Sequence, residues 1–222
     1  MKIRAELHNW NLSPSEAIDL QNTLAGQLRD QSLNWDNLRT VAGVDVSVRN
    51  NVSQAAVVVL SFPDLQPLET VTATLPTPYP YIPGLLTFRE GPVLLEAFAK
   101  LQYTPNVFIF DGMGRIHPRR MGIAAHMGLW LEMPTIGCGK TPFDGRHEPL
   151  APEQGSLSPL TYRRQIIGSV VRTRANVQPV YISAGHLMTL DDAVALTLRC
   201  TTRYRLPEPI RAAHRAAGEP TS

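Results

Sequence analysis

The 222-residue chain reads as an α/β domain, and three observations carry that reading. Stretches of alternating apolar residues at 40–48, 54–63 and 68–75 follow one another across short polar breaks, the pattern of an antiparallel meander. Beyond them, segments of helical period alternate with short apolar runs: 85–101, then 107–111, then 119–131, then 134–139. With 43% hydrophobic and 18% charged residues, the chain has apolar material for one core, so residues 1–222 read as a single domain.

Each element has its own local reason. A helix of about 13–30 opens with Ser13 as N-cap, Pro14 at the first helical position and Glu16 three residues after the cap, a capping box. The polar turn "RNNVS" joins the strands of "TVAGVDVSV" and "QAAVVVLSFP" into a hairpin, and "LETVTATL" extends it. In "PTPYPYIPG", residues 76–84, four prolines fix φ and remove four amide donors, so this is a stiff loop. The helix at 85–101 contains Gly91-Pro92, where a kink or a new turn is expected. "VFIFD" is a buried strand, a helix runs from about Arg119 to Leu131, and "PTIGCG" is a short strand. After a polar loop come strands near 166–173 and 179–183 and a helix at 189–200, and the tail at about 215–222 frays.

The net charge of +2 is too small to argue for or against a polyanionic partner. Cys138 and Cys200 stand far apart, which disfavours a disulfide framework or a zinc site and favours a reducing compartment. No 18-residue apolar run and no leader-like N-terminus occur, so the expectation is a cytoplasmic protein with no membrane association.

Two strands carry an aspartate where an apolar strand prefers none: Asp45 within "GVDVS" and Asp111 ending "VFIFDG". Strand parity sets Val44, Val46 and Val48 on one face and Asp45 on the other, between Gly43 and Ser47, whose small size leaves room beside the carboxylate. Carboxylates on neighbouring strand ends repel unless a divalent cation neutralises them, and magnesium suits one or two carboxylates plus water. The plainer alternative is a solvated Asp45 and an Asp111 that caps the following turn. Glu90 in "FREG" is a third acid, by itself a helix surface charge. His117, Arg119 and Arg120 in "HPRR" form a basic cluster before the helix at 119–131, placed to hold phosphates. His126, on that helix, reads as a core residue or a support behind the site rather than a ligand.

Taken together, "GVDVS", "PYIPGLLTFRE", "FIFDGMGRIHPRRMGIAAHMGL", "PTIGCGK", "AGH" and "YRLPEPIRAAH" resemble the endonuclease V family, in order, from about residue 38 to residue 214. The resemblance implies an RNase H-like fold, a central mixed sheet flanked by helices. It implies magnesium, with manganese as a substitute, held by Asp45 and Asp111, with Glu90, Lys140 and His214 completing the catalytic set. In the family pattern Tyr81, Ile82 and Pro83 are a wedge in the duplex, while Gly84, Leu86, Gly122 and Ile123 form a main-chain pocket for hypoxanthine. Apart from the resemblance, Lys140 and His214 read as surface residues and Tyr81 as part of a loop packed on the domain.

The chain departs from the family pattern at Met113, where a histidine is usual, and at Thr141, where a second lysine is common. A thioether is a poor ligand for a hard cation, yet no carboxylate is lost. The resemblance implies a monomeric, magnesium-dependent endonuclease that recognises deoxyinosine in DNA, or inosine in RNA, and cuts the second phosphodiester bond on its 3′ side. A general RNase H-like nuclease and a lesion-binding protein without cleavage are the alternatives.

Overall fold

Strand pairing begins where the β-branched residues are densest. In the computed structural model, which describes residues 7–141 and 145–218, β1 (Thr40–Arg49) and β2 (Val52–Ser61) form a ten-pair antiparallel ladder, Thr40 opposite Ser61 through Arg49 opposite Val52. Asn50 and Asn51 turn the chain between them, both at positive φ (50° and 57°), a conformation asparagine tolerates. β3 (Pro67–Pro76) continues the meander. β4 (Val107–Asp111) then pairs parallel with β1, and β5 (Thr135–Gly139) parallel with β4. The antiparallel strands β8 (Val180–Ala184), β7 (Gln165–Val171) and β6 (Leu157–Tyr162) complete one mixed sheet of order β3-β2-β1-β4-β5-β8-β7-β6 among the described residues.

Alternation along the central strands divides the core. Val41, Val107, Ile109, Ile136 and Ile182 face helices α4 (Leu190–Arg199) and α5 (Glu208–Gly218). Ala42, Val44, Phe108 and Phe110 face α2 (Leu86–Ala99) and α3 (Ile123–Leu131). α1 (Pro14–Ala25) lies outside α3, with Leu24 against Met121, Ala125 and Leu129. The sheet flanked by helices is the α/β architecture expected. Among the described residues no helix is long and apolar enough to cross a membrane.

Several boundaries differ from expectation. α1 has the capping box but ends at Ala25, not near 30. Gly26 caps it, and residues 29–33 are neither helix nor strand, with the Arg29 carbonyl accepting from Leu187 N–H and Leu33 N–H donating to Asp192. α2 passes through Pro92 as one helix; Gly91 lets the Trp10 ring approach, since a Cβ there would meet it at 2.3 Å. α3 starts at Ile123 rather than Arg119, because Arg120 is at φ 60° and Gly122 N–H and Ala124 N–H bond the carbonyls of Gly114 and Met113 instead of opening a helix earlier. β6 was not foreseen: its Pro159 and polar residues suit only the sheet edge it occupies. The segment expected to fray from about 215 is helical through Gly218 as the end of α5; its remaining residues, 219–222, lie outside the described residues.

Candidate active site

Register places the two aspartates. Val44 pairs with Phe110 across the parallel β1–β4 ladder, so the next residues, Asp45 and Asp111, stand side by side at one end of the sheet. The small neighbour of Asp45 has a definite use. A Cβ on Gly43 would stand 1.8 Å from the Pro209 carbonyl oxygen, so only glycine lets α5 begin directly on β1. That placement carries His214 to Asp45, with Nδ1 2.8 Å from Oδ2, while Oδ1 accepts the Val46 N–H at 2.9 Å. Lys140, one residue beyond β5, makes an ion pair with Asp111. Its carbonyl accepts from Arg205 at 2.7 Å, and the same guanidinium nitrogen reaches the Pro179 carbonyl at 2.7 Å.

Ligating atoms of Asp45, Asp111 and His214 lie within 4.8 Å of one another. Burial, and then the neighbouring Asp111, pushes the Asp45 carboxyl above the ordinary carboxylate range against the opposing pull of His214 and Lys140. Glu90, on the first turns of α2, is pushed up to about 8 by burial and by Asp45 and Asp111, against Arg89. Asp45 and Glu90, both desolvated and both facing the Asp111 charge, are a setting a hard divalent cation relieves.

Two clefts meet at this cluster. One, of about 380 Å³, is lined by Asp45, Ser47, Arg49, Asp111, Lys140 and His214. The other, of about 670 Å³, shares Asp111 and Lys140 and extends between the proline-rich loop (Tyr81, Ile82, Pro83, Gly84), Leu86 and the backbone of Gly122 and Ile123. Tyr81 stands 69% exposed at its mouth, a large ring offered to solvent. Met113 lies in the wall with its thioether over Gly139, where a Cβ would meet Cε at 2.3 Å. Thr141 also lines this cleft.

The "HPRR" residues divide. His117 is buried; Nε2 donates to the Gly84 carbonyl at 3.0 Å, and Nδ1 accepts the N–H groups of Arg119 and Met121. Burial is the main cause of its depressed pKa, about 4, with the Arg119 and Arg120 charges adding to it. Arg119 donates to the same Gly84 carbonyl at 2.9 Å and to Gln21 Oε1 at 2.7 Å, so both side chains organise the loop rather than project from it. Arg120 turns away, donating to the His117 carbonyl and to Gln165. The sequence reading missed Gln21, fully buried on α1, whose amide donates to the carbonyls of Gly84 and Met121. The signal was present, for Ala17, Gln21 and Leu24 are one helical face and a glutamine on an apolar face calls for partners. Arg205 was missed for want of any local pattern. His126 is a core residue, as expected, with Nε2 2.7 Å from His8 Nε2.

A mixed sheet that sets acidic side chains, a lysine and a histidine at its strand ends, beside an open cleft with an aromatic rim, has the organisation of a nuclease. Sequence comparison narrows the class. The family model described as Endonuclease V matches residues 22–215, and the chain belongs to that family. It is similar to the Endonuclease V of Trichormus variabilis, 49% identical over 212 residues that cover 95% of this chain and 96% of that one. Its fold matches the crystal structure of Endonuclease V from Streptomyces avermitilis with a TM-score of 0.90, 37% identity and coverage of 94% and 93%. It also matches Ciona intestinalis Endonuclease V in complex with a 24mer DNA containing an inosine followed by a ribo-adenosine, with a TM-score of 0.78, 26% identity and coverage of 91% and 95%.

Proposed function

We propose that this chain is a magnesium-dependent endonuclease that recognises deoxyinosine in DNA and hydrolyses the second phosphodiester bond on its 3′ side. The observation that carries the reading is the adjacency of the Asp45–Asp111–His214 cluster to the cleft between the Tyr81 loop and Gly122, with Asp111 and Lys140 common to both. The complex of the Ciona relative with inosine-containing DNA supports the substrate class.

The residues fit the metal. Two carboxylates supply hard oxygen ligands, and the raised proton affinity of Asp45, due to burial and the neighbouring Asp111, shows how unfavourable its charge is without a countercharge. Magnesium held by Asp45 and Asp111 would supply a Lewis acid for the phosphate and a water of lowered pKa. Lys140, paired with Asp111, is placed to meet a phosphate oxygen, and Arg205 fixes the backbone from which it extends. His214 holds or yields a proton at Nδ1 beside Asp45. Glu90 is the third acid, and a neutral Glu90 can donate a hydrogen bond in the same space.

Base recognition falls to the second cleft. Tyr81, Ile82 and Pro83 form a stiff rim able to enter the stack, for which unstacking costs a few kcal/mol. Gly84, Leu86, Gly122 and Ile123 line its walls and would face a purine edge, with the Gly84 carbonyl and the Gly122 N–H already bonded within the protein.

End-labelled DNA and RNA strands and duplexes, each with and without one inosine, test the reading in magnesium, manganese or chelator beside Asp45→Ala. The expected result is one metal-dependent product, cut one nucleotide past inosine, reduced by at least ~10³-fold in the variant on the scale of lost electrostatic stabilisation. Cleavage indifferent to inosine would leave a general nuclease, and tight inosine binding without cleavage a lesion-binding protein.

A further inference from the structure

From the hairpin β6–β7 we infer a second nucleic-acid contact, resting on the function proposed above: Arg163 and Arg164 at its tip, with Arg146 and Arg120 beside them, grip the phosphate backbone of the substrate away from the recognised base.

The turn is unusual in its residues. Tyr162 pairs with Gln165, so Arg163 and Arg164 are the whole connection, and both adopt positive φ (50° and 64°) as a two-residue hairpin turn of the primed type requires. Asparagine and glycine adopt that conformation readily, whereas arginine does so under strain. Two arginines there are poor choices for folding alone, and the strain is an observation from which function is argued.

Their surroundings are basic. Arg146 is exposed and joins the sheet edge by two 2.8 Å backbone hydrogen bonds with Thr161. The guanidinium carbons of Arg163 and Arg120 lie 5.2 and 5.5 Å from the centroid of the Tyr162 ring, an aromatic platform that gathers the cations. A cleft of about 430 Å³ opens among Arg146, Tyr162, Arg163 and Arg164. Among the described residues, none of these four arginines forms an ion pair with a carboxylate. Charge so concentrated fits a polyanion, and guanidinium forks match phosphate oxygens.

The hairpin is also rigidly attached to the base cleft. Gly168 of β7 admits the Ile116 side chain, which a Cβ would meet at 2.5 Å, and Ile116 lines that cleft. Arg120 bridges from the His117 carbonyl, in the cleft wall, to Gln165 at the foot of the turn. A strand whose base enters the cleft therefore carries its neighbouring phosphates toward this patch, and contacts made there are independent of sequence.

The double substitution Arg163→Asn with Arg164→Gly removes both charges while installing residues the turn prefers, so folding is retained and a rise in Tm is expected. Equilibrium binding of the intact protein, in calcium to prevent turnover, is measured against salt for inosine-containing and plain duplexes. The expected result is weaker binding to both, with the log–log salt slope reduced by about 2, near 1 for each lost phosphate contact. A control variant, Arg199→Gln with Arg203→Gln, at exposed arginines elsewhere, keeps its slope. Unchanged affinity and slope in the hairpin variant, or an equal loss in the control, would overturn the inference while leaving inosine-directed cleavage intact. Failure of the wild-type protein to bind either duplex would remove both this contact and the function on which it rests.

Discussion

At the residue scale, His117 shows how a side chain can belong to a site without touching substrate. Its ring, with Arg119 and Gln21, delivers three donors to the single carbonyl of Gly84, whose φ of 82° already favours glycine. Burial holds its pKa at about 4, below the ordinary 6.5. Between those values the unfolded chain binds a proton that the folded chain refuses, so stability is complete above pH 6.5 and declines as pH falls toward 4. The difference is worth up to about 3 kcal/mol. Acid unfolding of His117→Ala is therefore expected to be shallower over that window than wild type, with part of the slope remaining because buried His126 is shifted the same way. Urea titrations at pH 4.5, 5.5 and 7 measure it, and parallel acid limbs would refute the assignment. The basic cluster in "HPRR" was legible as important; the inward direction of two of its members was not, because direction depends on a loop 33 residues away that supplies the acceptor.

Elements carry their own test at Gly43. Alanine there would meet the Pro209 carbonyl, so α5 must shift or tilt on β1. Gly43→Ala is expected to cost roughly 2 kcal/mol or more of stability as an overpacked contact. Because His214 rides on the displaced helix, cleavage falls further than the lost stability explains. Thermal unfolding and single-turnover cleavage below the shifted Tm separate the two effects, and a variant that matches wild type in both would show that α5 adapts freely. At this scale the sequence was informative wherever pattern and pairing agreed. The parity of "VAGVDVSV" placed Asp45 opposite the valines and beside Gly43, as observed, and "VFIFD" ended on the second carboxylate. α5 was legible only as a helix around an exposed His214: its buried positions Ile210, Ala213 and Ala217 keep helical spacing, but two of the three are alanines, too small to mark an apolar face, and their burial is imposed by β1 and β2. β6 escaped because an edge strand needs few apolar residues.

Across the whole molecule, the N-terminal strap at residues 7–12 ties distant parts together. Trp10 stacks on Trp130 of α3 with centroids 5.3 Å apart and 12° between planes, and sits over Gly91 of α2. Leu12 packs against the cluster of Ala17, Leu85 and Phe88 on which Tyr79 and Ile82 of the proline-rich loop also rest. Trp10→Ala is expected to destabilise by about 2–3 kcal/mol, the lower part of the range for a large aromatic because Trp10 is only half-buried. Its effect on inosine discrimination should exceed its effect on cleavage of pre-bound substrate, since the loop rests on the same cluster as the strap whereas Asp45 and Asp111 stand on β1 and β4. A fall in single-turnover rate with unchanged binding would contradict that division.

The Asp45–His214 contact joins residues 169 positions apart. Emerging from the ribosome, a chain stopped at Pro207 would already contain every strand of the described sheet, both aspartates and Lys140, yet would leave Asp45 without its imidazole and β1 without its cover. Synthesis thus delivers the acidic centre in an incomplete form first, and a nick just before Glu208 would return the finished protein to that form.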